Sequence, residues 1–215
     1  MKLILAALAL GLPGHAPAPA LTVAPANDAG RLVALLIPER AMIDLVMAAA
    51  RSEAKKNPEF AGDPAMIDFV LKRMRPDLEK IVRDGLPELH AEMIRIITAQ
   101  MTSAEIADVY TFFASPTGQR LQKTTYEVIA ENPGADNSEH QRIAIDRFTQ
   151  SITLEDMPAL TAFGTSAGAQ KMQAVTPRTT AASGAWADRV LTRHGPRLDA
   201  LRAQAIADYK KQKGQ

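Results

Sequence analysis

The 215-residue sequence has no cysteine, a single tryptophan and four histidines, and aromatic residues make up only 5% of it. Without cysteine there are no disulfides, thiolate zinc sites, cysteine nucleophiles or lipid anchors on a cysteine. His90, His140 and His194 are far apart and form no His-x3-His or His-Glu-x-x-His arrangement, so no metal is implied. There is no Gly-x-Ser-x-Gly elbow, phosphate-binding loop or dinucleotide fingerprint, and hence no cofactor. Basic residues are not interleaved with stacking aromatics, which argues against nucleic acid. Beyond Leu12 no apolar run approaches the roughly 20 residues that a membrane span requires.

Residues 1–20 read as an export signal. Lys2 supplies the positive start, Leu3–Leu12 the short apolar stretch, and Ala18-Pro19-Ala20 the small-x-small cleavage pattern. Cleavage after Ala20 leaves 195 residues, expected to form a single periplasmic or secreted domain over 21–215 with 24 basic and 24 acidic residues. The charge is unevenly spread. Residues 101–167 carry 4 Lys/Arg against 9 Asp/Glu, and residues 168–215 carry 9 against 3. Either these segments compensate each other, or the C-terminal part presents a basic face to an anionic partner.

Helical periodicity dominates the rest, so the fold class is all-α, an irregular helical bundle. Leu32, Val33, Leu35, Leu36 and Ile37 form an apolar cluster ended by Pro38, and Met42, Ile43, Leu45, Val46 and Met47 follow. Asp63-Pro64 is a cap followed by a proline at the first helical position. Pro76 is expected to bend or restart its helix, Gly85-Leu86-Pro87 to interrupt the next stretch, and Pro177 and Pro196 to break the tail. A final docked helix carries Leu198, Leu201 and Ala205, with fraying expected from Lys210 onward.

A weak internal repeat organises the middle of the chain. Thr102–Gln122 aligns with Thr153–Gln173 at an offset of 51, and five of 21 positions are identical with five more conservative. Ile94, Ile97 and Met101 extend it upstream to Ile145, Phe148 and Ile152. Thr102 with Glu105 forms a capping box, Thr153 with Asp156 a shorter version, and Ser115-Pro116 a second helix start. The expected organisation is one unit over about 85–131, a degenerate copy over about 137–182, and C-terminal helices over 183–209. Asn132–Asn137 is the loop between the two units.

Met101-Thr102-Ser103-Ala104-Glu105-Ile106 followed by Phe112-Phe113-Ala114-Ser115-Pro116-Thr117-Gly118-Gln119-Arg120-Leu121 resembles domain-of-unknown-function family 2059 (DUF2059). Phe113 stands where that family usually has Tyr. The second copy departs further, with Gly164 at the second aromatic position, no proline in its turn and Gly168 one place early. The resemblance implies an exported helical bacterial protein and supplies no catalytic residues.

The candidate binding residues are Tyr110, Phe113, Phe163, Trp186, Arg189 and Arg193. The first reading of function is a non-enzymatic protein that binds another envelope protein or an anionic envelope component through the basic C-terminal face. The second is a carrier with an apolar pocket between the units, lined by Tyr110, Phe113 and Phe163, although aromatics at helical spacing more often pack a core. Trp186 suits either a lipid or partner contact or an anchor for the last helices. The third is a carboxylate hydrolase using Asp44 and Asp68, which recur in Ala-Met-Ile-Asp strings. The bland alternative makes both aspartates the solvent-facing positions of their helices.

Overall fold

Asp63 caps the longest N-terminal helix as its sequence suggests, its Oδ1 accepting from the backbone N–H of Ala65 at 2.9 Å and of Met66 at 3.1 Å. The computed structural model describes residues 26–60 and 62–214. The export signal at 1–20 and its cleavage point lie outside the described residues. Described elements are helical throughout: α1 (Ala26–Leu36), α2 (Glu39–Lys56), α3 (Pro64–Thr98), α4 (Ser103–Ala114), α5 (Pro116–Glu131), α6 (Asn137–Gln150), α7 (Met157–Gly164) and α8 (Ala167–Lys213). Short 3-10 turns at Pro58–Phe60 and Leu154–Asp156 join α2 to α3 and α6 to α7.

The prolines do not break the long helices. α3 runs through Pro76 and Pro87, and α8 through Pro177 and Pro196, so one helix replaces the separate C-terminal helices expected over 183–209. An interior proline costs about 3 kcal/mol, whereas each fully buried large apolar side chain contributes about 1.5–3 kcal/mol. Met74 and Leu78 flank Pro76, Leu86 and Leu89 flank Pro87, and all four are buried. On α3, burial therefore outweighs the lost hydrogen bonds. The helix also continues past Lys210 to Lys213, where Gly214 closes it in the left-handed conformation that a residue without Cβ adopts readily.

α3 and α8 pack along each other as the spine and carry two apolar clusters. The larger gathers α1, the first half of α2, the C-terminal half of α3, α4, α5, Phe148 of α6 and the first part of α8. The smaller joins Phe60, the N-terminal half of α3 and Ala205, Ile206 and Tyr209 near the end of α8. No residue of α8 between 188 and 204 is buried. That stretch bridges the two cores.

Candidate functional site

Pro38 leaves α1 with unsatisfied terminal carbonyls, because proline brings no N–H and disfavours helical geometry at Ile37. Side chains from two other helices supply the missing donors. Gln122 of α5 donates from Nε2 to the Leu35 carbonyl at 2.6 Å, the Tyr126 hydroxyl donates to that of Leu36, and the His90 Nε2 of α3 lies 2.9 Å from that of Ile37. Burial pushes the Tyr126 hydroxyl pKa upward, partly offset by Gln122, so it stays a protonated donor at physiological pH. α5 is thereby tied to the α1–α2 corner.

Between that corner and α5 lies an open groove of about 600 Å³. Its apolar surface comes from Leu35, Pro38, Leu45 and Tyr126, and from Ala34, Ala41 and Ala130. Short side chains at those three alanines leave the space that a leucine would occupy. Arg40 and Asp44 of α2 and Lys123 and Glu127 of α5 form the charged margin. Each cation meets the acid four residues on only loosely, at 3.6 Å for Arg40–Asp44 and 3.7 Å for Lys123–Glu127.

A second polar cluster lies where α5 meets the turn before α7. The Asp156 side chain is 3% exposed and accepts from the Thr153 backbone N–H at 2.8 Å, the Thr153 hydroxyl at 3.0 Å, the Thr117 hydroxyl at 2.8 Å and Arg120. These donors, the Thr153 N–H first, then Thr117 and Arg120, hold its pKa below the usual carboxylate range. The carboxylate is fully engaged in holding two helical segments together. Among the described residues no three His, Asp or Glu side chains gather as a metal-ligand set.

The residues singled out from sequence fall in separate places. Phe113 is buried at a centroid distance of 6.0 Å from Phe163, and Phe163 stacks on Phe112 at 4.1 Å with the ring planes 7° apart. These rings fill the space between α4 and α7 against one another. Tyr110 lies half-buried under Arg31, whose guanidinium donates to its hydroxyl at 3.2 Å. Trp186 is buried and donates from Nε1 to the Gly85 carbonyl at 3.0 Å, bonding α8 to α3. Arg189 pairs with Glu88 at 2.8 Å, Arg193 lies 4.0 Å from the same carboxylate, and Arg197 pairs with Asp77. These cations are exposed, and their counter-charges come from α3 rather than from the acidic segment 101–167. Asp44 and Asp68 are both exposed, and each meets its own arginine, Arg40 and Arg51, so they do not form a desolvated pair. Of the groove residues, Leu35, Pro38 and Leu45 read from sequence as part of the apolar helix stripes and their end, and Asp44 as half of a carboxylate pair; the three alanines leave no signal until helices are placed around them.

Residues 87–135 match the family model described as an uncharacterized protein conserved in bacteria (DUF2059). The match spans the end of α3, α4, α5 and the following loop, and so contains the α5 wall of the groove but not the α1–α2 wall. It agrees with the resemblance read at Met101–Leu121. No curated protein and no solved structure matches the chain significantly. No helix among the described residues is long and apolar enough to cross a membrane.

Proposed function

We propose that the protein is exported to the bacterial periplasm and acts there as a non-catalytic binding protein, holding a long-chain amphiphile with an anionic head in the groove between α1–α2 and α5. The groove itself carries this reading: its volume lies within the roughly 300–1,000 Å³ of small-molecule sites, and its walls are mostly apolar. Arg40 and Lys123 stand at its edge in loose, exposed ion pairs of a kind worth about 0–1 kcal/mol. A ligand carboxylate replaces such a pair at little cost. The export signal at 1–20 supports the compartment. A basic C-terminal surface is a weaker basis for anion binding, since Arg189, Arg193 and Arg197 already pair with α3.

Titrating the full exported chain with a fluorescent long-chain fatty acid tests the reading. Saturable binding is expected, with at least a tenfold loss of affinity in Ala41→Leu and Ala130→Leu and no fall in their thermal midpoints. Absence of binding, or equal binding by the filled variants, overturns it. Native mass spectrometry of protein purified from its own envelope gives the parallel readout, a co-purified apolar molecule lost in the same variants.

A further inference from the structure

Positions 51 apart repeat more than their residue types. Ser115 accepts from the Gly118 N–H at 3.1 Å, and Ser166 accepts from the Ala169 N–H at 3.1 Å. The Thr125 hydroxyl donates to the Leu121 carbonyl at 2.9 Å, and that of Thr176 donates to the Met172 carbonyl at 2.7 Å. Thr117, Gly118, Leu121, Thr125 and Val128 are buried on α5, and so are Gly168, Ala169, Met172, Thr176 and Thr179 on α8. Contacts between the segments are also reciprocal. Thr117 reaches Asp156, while Gly168, its counterpart, lies against Glu105, the counterpart of Asp156. Phe112 stacks on Phe163, its own counterpart. A contact from i to j matched by one from j to i is the mark of a two-fold relation.

One helix breaks the correspondence. On α4, Ile106 and Val109 are 0% exposed, and α1 packs across both α4 and α3. The counterpart of α4 is α7, which is uncharged and has no buried residue. Met157, the counterpart of Ile106, is 47% exposed, and Leu154 in the preceding turn is 90% exposed. Among the side chains that fasten α1 are Tyr110, Gln122 and Tyr126. Their counterparts Thr161, Gln173 and Pro177 are all exposed.

We propose that residues 137–182 repeat the arrangement of residues 86–131 about an approximate two-fold axis through the Phe112–Phe163 stack, and that the face of α6 and α7 corresponding to the α1 seat is a docking site for an amphipathic helix of a partner protein. The chain itself shows the kind of helix that fits. α1 buries Ala29, Leu32, Val33 and Leu36, an i, i+3, i+4, i+7 stripe of small and branched apolar residues. The partner helix carries the same stripe, with Gln173 placed to donate to its last carbonyls. The α1 of a second copy does not serve, because it is buried in its own fold. An anionic lipid surface does not fit either: residues 148–170 contain Glu155 and Asp156 and no Lys or Arg, and the arginines of α6, Arg142 and Arg147, already pair with Glu139, Asp146 and Glu131. The site is separate from the α1–α2/α5 groove and stands whether or not that groove binds a ligand.

The test uses the full exported chain and a labelled peptide of residues 26–38 as the probe helix. Fluorescence anisotropy is expected to show saturable binding, and a photo-crosslinker at position 154 to capture the peptide. Leu154→Glu and Met157→Glu should weaken binding at least tenfold with unchanged thermal midpoints, since neither side chain is buried. Several results overturn the proposal: no binding at millimolar peptide, binding unaffected by either variant, or crosslinks confined to α3 and α4, where the peptide would merely displace α1. It is equally overturned if Leu154 crosslinks to residues 1–25 of its own chain, or if the chain forms a dimer that Met157→Glu dissociates.

Discussion

Gly168 and Gly184 lie on the same helix under opposite constraints. A Cβ on Gly168 would lie 2.4 Å from the Glu105 carbonyl oxygen and 2.7 Å from the Asp108 Cβ, and its N–H donates to Asp108 at 3.1 Å. A Cβ on Gly184 would meet nothing within 4 Å. Gly168→Ala is therefore expected to destabilise the protein by about 1–3 kcal/mol through overpacking, and Gly184→Ala to stabilise it by about 0.5–1 kcal/mol through helix propensity. Chemical denaturation of the two variants measures both. The early position of Gly168, which reads from sequence as decay of the second motif, becomes a packing requirement once α4 is seen against it. Asp156 is also decided by its neighbours. Its pKa is lowered in the folded protein, so the unfolded chain binds the proton more tightly, and the stability it contributes is present above the ordinary carboxylate pKa, about 3.9. That contribution is lost as the pH falls through and below this value. Asp156→Asn should lower stability at pH 7 and make it less dependent on pH below 5, as read from denaturation midpoints across pH 2–7.

At the scale of elements, local chemistry in the sequence was a good guide to where helices begin. Thr102 and Glu105 form their reciprocal box, with the Glu105 N–H donating to the Thr102 hydroxyl oxygen at 3.3 Å and the Thr102 N–H donating to the Glu105 carboxylate at 2.7 Å. Asp63, Ser115 and Asp136 cap α3, α5 and α6. A cap involves only three or four consecutive residues, so its signal is complete in the chain. Prolines misled for the converse reason, since their local cost is visible and the burial that offsets it is not. Pro196 differs from the others because it sits in the stretch of α8 with no buried residue. Pro196→Ala should restore a hydrogen bond to the Thr192 carbonyl and raise stability by about 1–3 kcal/mol, seen as a higher thermal midpoint. A fall would mean that the path of α8 between the cores depends on the proline.

At the scale of the molecule, two cores share one pair of long helices. The smaller rests on Phe60, the start of α3 and the end of α8, and is linked to the larger by residues 188–204 of α8, none of them buried, and by half-buried Val46 and Met47 of α2, which pack against both. Ion pairs along this seam, such as Arg189–Glu88 and Arg197–Asp77, are partly exposed and worth about 0–1 kcal/mol each. Native-state hydrogen exchange should therefore resolve two opening units. Amides around Met66–Met74 and Ala205–Tyr209 should exchange together at a lower free energy than those around Leu89–Ile97 and Ile106–Phe112. A single common value for all four segments would show that the bridge couples the cores completely.

The sequence by itself determined the helical class, the caps at Asp63, Thr102 and Ser115, a loop beginning at Asn132 and the motif of the DUF2059 segment, because each depends on residues within a few turns of one another. Only the tertiary structure decided which apolar stripes are covered. Ile106 and Met157 occupy matching positions in similar strings, yet one is buried and the other half-exposed. The groove beside Tyr126 likewise arises from three alanines brought together from α1, α2 and α5. Burial belongs to pairs of distant segments, and no local pattern contains it.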